Sequence, residues 1–184
     1  MLELLDDGLE HCRDCDLYNN GDGGKCPPYW TIHSRYAIIG EAPGRDEVQN
    51  REPFIGQAGK HLWDTMDKFG LKKNQFLIIN SVSCRPVNDG KNGKPTKHQQ
   101  EQCRGFVRKY LKVVRPEKIL ILGNHAMYTI TGRDSGIMMF NSETMYNEEF
   151  QANQVVSVHP SMCMYKGDEG KEMLKESIEV FKNL

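Results

Sequence analysis

The sequence predicts a layered α/β fold built on parallel strands. Three observations carry that prediction. Four short runs are rich in Ile, Val or Leu, and each stops close to Gly, Asn, Cys or Pro, the profile of buried strands. Stretches with apolar residues at helical spacing lie between them. A strand that returns to its sheet through a helix re-enters in the same direction, so the alternation implies parallel pairing. With 184 residues the chain can bury a sizeable core without disulfide support, and residues 1–184 read as a single domain.

The first strand run is Tyr36–Gly40 (YAIIG). Ala58–Phe69 follows as a helix, with Leu62, Trp63, Met66 and Phe69 on one face and Gly70 as its stop. The second strand run is Phe76–Val82 (FLIINSV). Lys97–Val114 is the longest helix. Phe106, Val107, Tyr110, Leu111 and Val114 share its apolar face, and Pro116 ends it. The third run, Lys118–Gly123 (KILILG), leads into a short helix, Asn124–Ile130. The fourth run, Gln154–His159 (QVVSVH), is followed by a closing amphipathic helix, Glu169–Leu184.

No run approaches the roughly 20 apolar residues that a membrane-spanning helix needs. The opening MLELLDDGLEHC is acidic and polar too early for a secretory signal, so a cytoplasmic, reducing setting is expected. The net charge of -1 gives no global pull toward nucleic acid. Its distribution does: residues 85–118 hold ten Lys and Arg against three Asp and Glu. That segment reads either as a DNA-facing patch or as the solvated face of an amphipathic helix.

In open α/β sheets, ligands bind beyond the carboxyl ends of the strands. Those ends carry GEAPG (40–44), NSVSCRP (80–86), GNHA (123–126) and HPS (159–161), so Glu41, Asn80 and His159 are expected to converge. Cys12 and Cys15 form a CxxC pair, and Cys84 and Cys103 lie at the end of the second strand run and the start of the long helix. Two such pairs suit zinc or an iron–sulfur cluster. The alternative is a set of free thiols. Cys26 and Cys163 have no partner pattern and read as packed small apolar side chains.

Taken together, these motifs resemble the uracil-DNA glycosylase superfamily, most closely its iron–sulfur-containing family 4. GEAPG, then Pro53-Phe54-Ile55-Gly56-Gln57-Ala58-Gly59, then Asn80-Ser81-Val82-Ser83-Cys84-Arg85-Pro86, Gly123 with Ala126, and His159-Pro160-Ser161 occur in the family's order, with the cysteines interleaved. The resemblance implies a three-layer α/β/α sandwich around a central four-stranded parallel sheet. It implies a monofunctional hydrolase of base excision repair that flips uracil out of single- or double-stranded DNA and leaves an abasic site. It also implies a [4Fe–4S] cluster on Cys12, Cys15, Cys84 and Cys103. Nothing in the sequence suggests an obligate oligomer, and a monomer is expected. The chain departs from the pattern at Arg51, where the family often has glycine, and in a longer Cys84–Cys103 loop.

The resemblance assigns roles residue by residue. Phe54 would stack on the flipped base, and the Asn80 amide would pair with uracil's O4 and N3–H, which cytosine does not match. His159 would donate to O2 as negative charge grows there. Glu41, or Glu47, would stabilise the sugar cation and orient water. Gly40 and Ala42 would bind substrate, the Pro43-Gly44 loop would approach the DNA backbone, and Ser161 would donate to a phosphate. Arg85, Lys91, Lys94 and Lys97 would follow the DNA backbone. Competing readings are a glycosylase for another deaminated or modified base and a catalytically inactive iron–sulfur DNA-binding relative. A flavodoxin-like nucleotide binder fits the alternation alone, but GEAPG lacks the G-x-G-x-x-G fingerprint and no P-loop is present.

Overall fold

The computed structural model describes residues 9–19 and 24–184, so most of the acidic opening segment lies outside the described residues. The four apolar runs form the strands expected of them, β1 (Tyr36–Gly40), β2 (Phe76–Asn80), β5 (Lys118–Leu122) and β7 (Ala152–Ser157). These lie parallel in the order β2-β1-β5-β7. The helices are α1 (Arg45–Asn50), α2 (Gln57–Lys68), α3 (Lys97–Val114), α4 (Gly123–Thr131), α5 (Met162–Tyr165) and α6 (Asp168–Asn183).

Alternation along each strand decides the layers, because successive side chains point to opposite faces. Ile38, Ile78 and Leu120 stand in register and pack with Leu62 and Met66 of α2 and Leu174, Ile178 and Phe181 of α6. One residue on, Ile39, Ile79 and Ile121 face Val107 and Leu111 of α3 and Met127 and Ile130 of α4. Each such buried side chain contributes about 1.5–3 kcal/mol of transfer free energy. Both faces are therefore covered, and the three-layer sandwich is present. Thr96 opens α3 with a capping box: its hydroxyl accepts from the Gln99 N–H at 3.3 Å, and the Gln99 side chain accepts from the Thr96 N–H at 2.8 Å.

Two pieces go beyond the four-stranded expectation. A fifth strand, β6 (Thr144–Asn147), runs antiparallel to β7 at the sheet edge. The longer loop after Cys84 folds into a hairpin, β3 (Val87–Asn88) and β4 (Lys91–Asn92). Asp89 and Gly90 both have positive φ, 50° and 73°, as a tight hairpin turn of the Asp-Gly kind requires. Arg51 closes α1 in the left-handed conformation at φ 54°, where a glycine costs nothing and an arginine costs on the order of 1 kcal/mol. Its guanidinium pairs with Glu10.

The basic segment does not form a DNA-facing patch as a whole. Arg108 and Lys112 pair with Glu149, Lys97 pairs with Asp134, and the Arg104 Nε donates to the Thr129 carbonyl at 2.9 Å. Lys118 donates to the Phe181 carbonyl near the end of α6, and Arg85 is buried. Lys91 on the hairpin and Lys94 just after it are exposed and fit the expectation.

Candidate active site

Strand order reverses beside β1: the chain steps to β2 on one side and to β5 on the other. A cleft of about 690 Å³ opens there, at the carboxyl ends of the strands. Glu41, Phe54, Asn80, His125 and His159 line it. The three residues expected to converge do so, each from the end of a different strand.

Asn80 is the last residue of β2 and stands opposite Gly40 in register. It is 7% exposed, and among the described residues its amide has no protein partner. The residue is buried but its amide atoms open to the cleft, where they are free to meet a ligand's polar edge. Gly40 makes room for it. A Cβ there would stand 2.3 Å from the Asn80 Oδ1 and 2.6 Å from the Phe54 Cζ. Gly40→Ala is expected to displace both groups, lowering activity at least 10-fold while Tm moves by only a few degrees; steady-state kinetics beside thermal unfolding check this.

Phe54 holds a left-handed φ of 56°, a strained conformation for a bulky residue. Its surroundings enforce it. The Trp63 indole Nε1 donates to its carbonyl at 3.1 Å, and α2 approaches so closely that a Cβ on Gly59 would lie 2.0 Å from that oxygen. The ring lies 6.2 Å from the His159 ring at 34°. Glu47 supports the same loop. Its carboxylate accepts the backbone N–H groups of Gly44 at 3.0 Å, Ile55 at 3.2 Å and Gly56 at 2.8 Å. Glu47 thus ties the GEAPG loop to the Phe54 loop.

His159 sits just past β7, partly exposed at the cleft. Its Nδ1 accepts the Ser161 backbone N–H at 3.2 Å and lies 2.9 Å from the Ser161 hydroxyl. A backbone N–H can only donate, so Nδ1 is the acceptor and the proton of the neutral ring sits on Nε2. Burial, with a smaller push from His125, lowers the pKa to about 4. At neutral pH the ring is therefore an uncharged Nε2–H donor. The Ser161 backbone N–H thus holds this tautomer, with its hydroxyl beside the same nitrogen.

Glu41 follows β1. Burial raises its pKa above the ordinary value, while His125 and Lys94 pull it back. The His125 Nε2 lies 3.8 Å from the Glu41 Oε2, and the His125 Nδ1 lies 3.2 Å from the Nε2 of buried Gln100. Sequence reasoning missed His125 as a site residue, although its place after β5 in GNHA was the available signal. Ala42 and Pro43 border the cleft, and Met164 and Tyr165 stand exposed at it.

Ala42 also packs against a second cluster, formed by Leu17, Val82, Cys84, Cys103 and Cys15. Burial drives the Cys84 thiol up to about 12, with Cys103, Cys15 and Cys12 adding to the push. Burial likewise takes Cys103 up to about 11, with further pushes from Cys15 and Cys12. The four thiols therefore share one electrostatic neighbourhood. Among the described residues, no three His, Cys, Asp or Glu side chains are grouped closely enough to hold a metal ion. The Lys25 ammonium donates to the carbonyls of Glu10 at 2.7 Å and Cys12 at 3.0 Å, and Lys25 pairs with Cys84 through a backbone bridge. Cys163 packs in the apolar cluster beneath α6, as expected, whereas Cys26 is buried with its Sγ 3.6 Å from the Pro27 carbonyl.

A sequence model of the uracil DNA glycosylase superfamily matches residues 27–182. The chain belongs to that superfamily. It is 36% identical over 128 residues to the type-4 uracil-DNA glycosylase of Archaeoglobus fulgidus, a match that spans 68% of this chain and 62% of that protein. The type-4 enzyme of Thermotoga maritima is 26% identical over an alignment of 192 positions, covering 100% of this chain and 94% of that one. That of Pyrobaculum aerophilum is 29% identical over 171, covering 90% and 85%. The superfamily match takes in the whole cleft, from the GEAPG loop to Ser161, whereas Cys12 and Cys15 lie before its first residue.

Proposed function

We propose that this chain is a uracil-DNA glycosylase of the cytoplasm that flips uracil into the cleft and hydrolyses its N-glycosidic bond. The observation that carries the reading is the unpaired Asn80 amide, in one cleft with the Phe54 ring and a tautomer-locked His159. Phe54 gives the flipped base a stacking surface. The Asn80 amide offers one acceptor and two donors, so it can accept from N3–H while donating to O4 of uracil. Cytosine leaves those groups mismatched, and a buried polar site rejects such a base strongly. The bond breaks toward an oxocarbenium-like sugar and a uracil anion. The His159 Nε2–H meets the growing charge on O2, and the Glu41 carboxylate faces the sugar and orients water. Water supplies hydroxide to C1′ and a proton to the departing base, so the products are uracil and an abasic site. No lysine is called on as a nucleophile, and the strand stays intact.

Cys12, Cys15, Cys84 and Cys103 would hold a [4Fe–4S] cluster. Thiols raised this far by burial need a cationic centre to exist as thiolates. A four-iron cluster takes one thiolate per iron and so spreads its ligands more widely than a lone zinc, which suits thiols that share a neighbourhood without closing round one ion. Bound there, it would supply structure, with Cys12 and Cys15 tying residues 9–19 to Cys84 in the loop after β2. Cys84→Ser is expected to remove the visible cluster absorbance and lower Tm by on the order of 10 °C. An unchanged Tm after cluster loss would contradict the structural role.

The deciding experiment is excision. Anaerobically purified protein is incubated with single- and double-stranded uracil oligonucleotides, and alkali reveals abasic sites. Strand breaks only after alkali, lost in Asn80→Ala, are expected. Breaks without alkali would overturn the monofunctional reading, and no breaks from folded protein would overturn the uracil reading.

A further inference from the structure

The proposed reaction gives His125 no task of its own, yet a buried side chain holds the ring beside Glu41. The His125 Nε2 lies 3.8 Å from the Glu41 Oε2, beyond a direct hydrogen bond but close enough for the ring's dipole to bear on the carboxylate. At the other edge of the ring, Nδ1 meets the Gln100 amide, 3.2 Å from its Nε2 and 3.4 Å from its Oε1. Gln100 is 2% exposed, and among the described residues its amide bonds to nothing else. An apolar side chain would fill that buried place as well, so the amide's one contact is what distinguishes a glutamine there. The start of α3 fixes its position. The Gln100 N–H donates to the Thr96 carbonyl at 3.0 Å, and the adjacent Gln99 side chain donates to the Asp16 carboxylate at 2.9 Å.

In a neutral imidazole one nitrogen donates and the other accepts, so the partner of one sets the role of the other. With the proton on Nδ1, the bare Nε2 would turn a lone pair toward the Glu41 carboxylate. With Nδ1 accepting from the amide N–H, the positive Nε2–H edge faces that carboxylate instead. The nearer of the two amide atoms is the one that can donate. We infer that Gln100 is a positioning residue for Glu41: it donates to the His125 Nδ1 and so holds the ring with its proton on Nε2, facing the carboxylate. This rests on the reading of Glu41 as the carboxylate that handles charge and water in a uracil-DNA glycosylase. The cleft then holds two histidines of one tautomer, each gripped by its Nδ1: Ser161 aims His159 at the base, and Gln100 aims His125 at Glu41. Glu41 is faced by His125 from α4 and by Lys94 from the loop after β4, and His125 also bears on His159 from beyond β7. Lys94 is exposed, so the anchored ring supplies the fixed part of this field.

Two readouts test the assignment. NMR of protein carrying isotope-labelled histidine separates a protonated ring nitrogen from a bare one, and the His125 signals are those missing from His125→Ala. The wild type should show the Nε2–H tautomer, and Gln100→Leu should raise the Nδ1–H fraction. A wild-type ring protonated on Nδ1, or a fraction unchanged in Gln100→Leu, would overturn the assignment. The second readout is kinetic. Gln100→Leu should lower the plateau kcat by about 3- to 10-fold, the scale of one orienting hydrogen bond, with KM unchanged. It should also move the acid limb of kcat to higher pH, the direction expected of His125→Ala, and by less. In a His125→Ala background Gln100→Leu should change neither, because its effect passes through the ring. Additive effects would make Gln100 a packing residue between α3 and α4 and overturn the proposal. Should Gln100→Leu fail to fold, Gln100→Met, unbranched and without an N–H donor, replaces it. Excision by the wild type is scored alongside. A wild type with the Nε2–H tautomer that releases no uracil would overturn the uracil reading, and the tautomer in Gln100→Leu then decides the Gln100 assignment by itself.

Discussion

His159→Ala is expected to lower kcat for uracil excision by about 10²- to 10³-fold, because it deletes the donor aimed at the developing charge on the base. KM should move far less, since neutral uracil in the ground state needs that hydrogen bond less than the anion does. Ser161→Ala tests the tautomer lock. The backbone N–H of Ser161 still reaches Nδ1 in this variant, so the loss should be about 10-fold or less. A Ser161→Ala loss equal to that of His159→Ala would mean that the hydroxyl acts on the substrate directly.

The ring also fixes a direction for stability against pH. Folding lowers the His159 pKa from 6.5 to about 4. The unfolded chain takes up a proton below about pH 6.5, and the folded chain does so only near pH 4. Acidification through that window therefore favours unfolding. Tm is expected to fall between pH 6.5 and 4, and His159→Gln should flatten the fall. A wild-type Tm that rises through the same window, with no difference in His159→Gln, would contradict the neutral ring.

How much of this was legible in the sequence depends on burial. β1, β2, β5 and β7 are buried on both faces, so Ile, Leu and Val crowd into short runs that stand out from their surroundings. β6 does not: Thr144 and Tyr146 are exposed, its apolar content is one methionine and one tyrosine, and half-buried edge strands carry no such run. The polar helix α1 buries no side chain and left no periodic signal. Within the site, residue types at strand ends located Glu41, Asn80 and His159. They did not reveal how each is engaged. Glu47 and Glu41 look alike in sequence, and the three backbone N–H groups that surround the Glu47 carboxylate leave no trace there. Arg85 looks like any surface arginine until its burial is seen. The Asp89-Gly90 pair, by contrast, was a readable hairpin signal inside what passed for a longer loop.

Glu41→Gln is expected to cost about 10²- to 10⁴-fold in kcat, the range for a carboxylate that handles charge and water at the reacting centre. The amide keeps the shape and loses the charge, so the loss should be in kcat and not in DNA affinity. The pH profile then distinguishes Glu41 from its neighbours. Glu41 works as a carboxylate, and burial holds its pKa above the ordinary glutamate value. Activity should therefore fall on acidification at a pH higher than an ordinary glutamate would give, while His159 remains neutral down to about pH 4 and does not cause the fall. Two side chains that favour the ionised form face Glu41, His125 from α4 and Lys94 from the loop after β4. Removing either one destabilises the carboxylate relative to the acid. His125→Ala should thus move the acid limb of kcat to higher pH, and Lys94→Ala should move it the same way by less. A limb that stays in place in His125→Ala would place the titrating group elsewhere. A limb that moves to lower pH would mean that His125 reaches the reaction by a route other than Glu41.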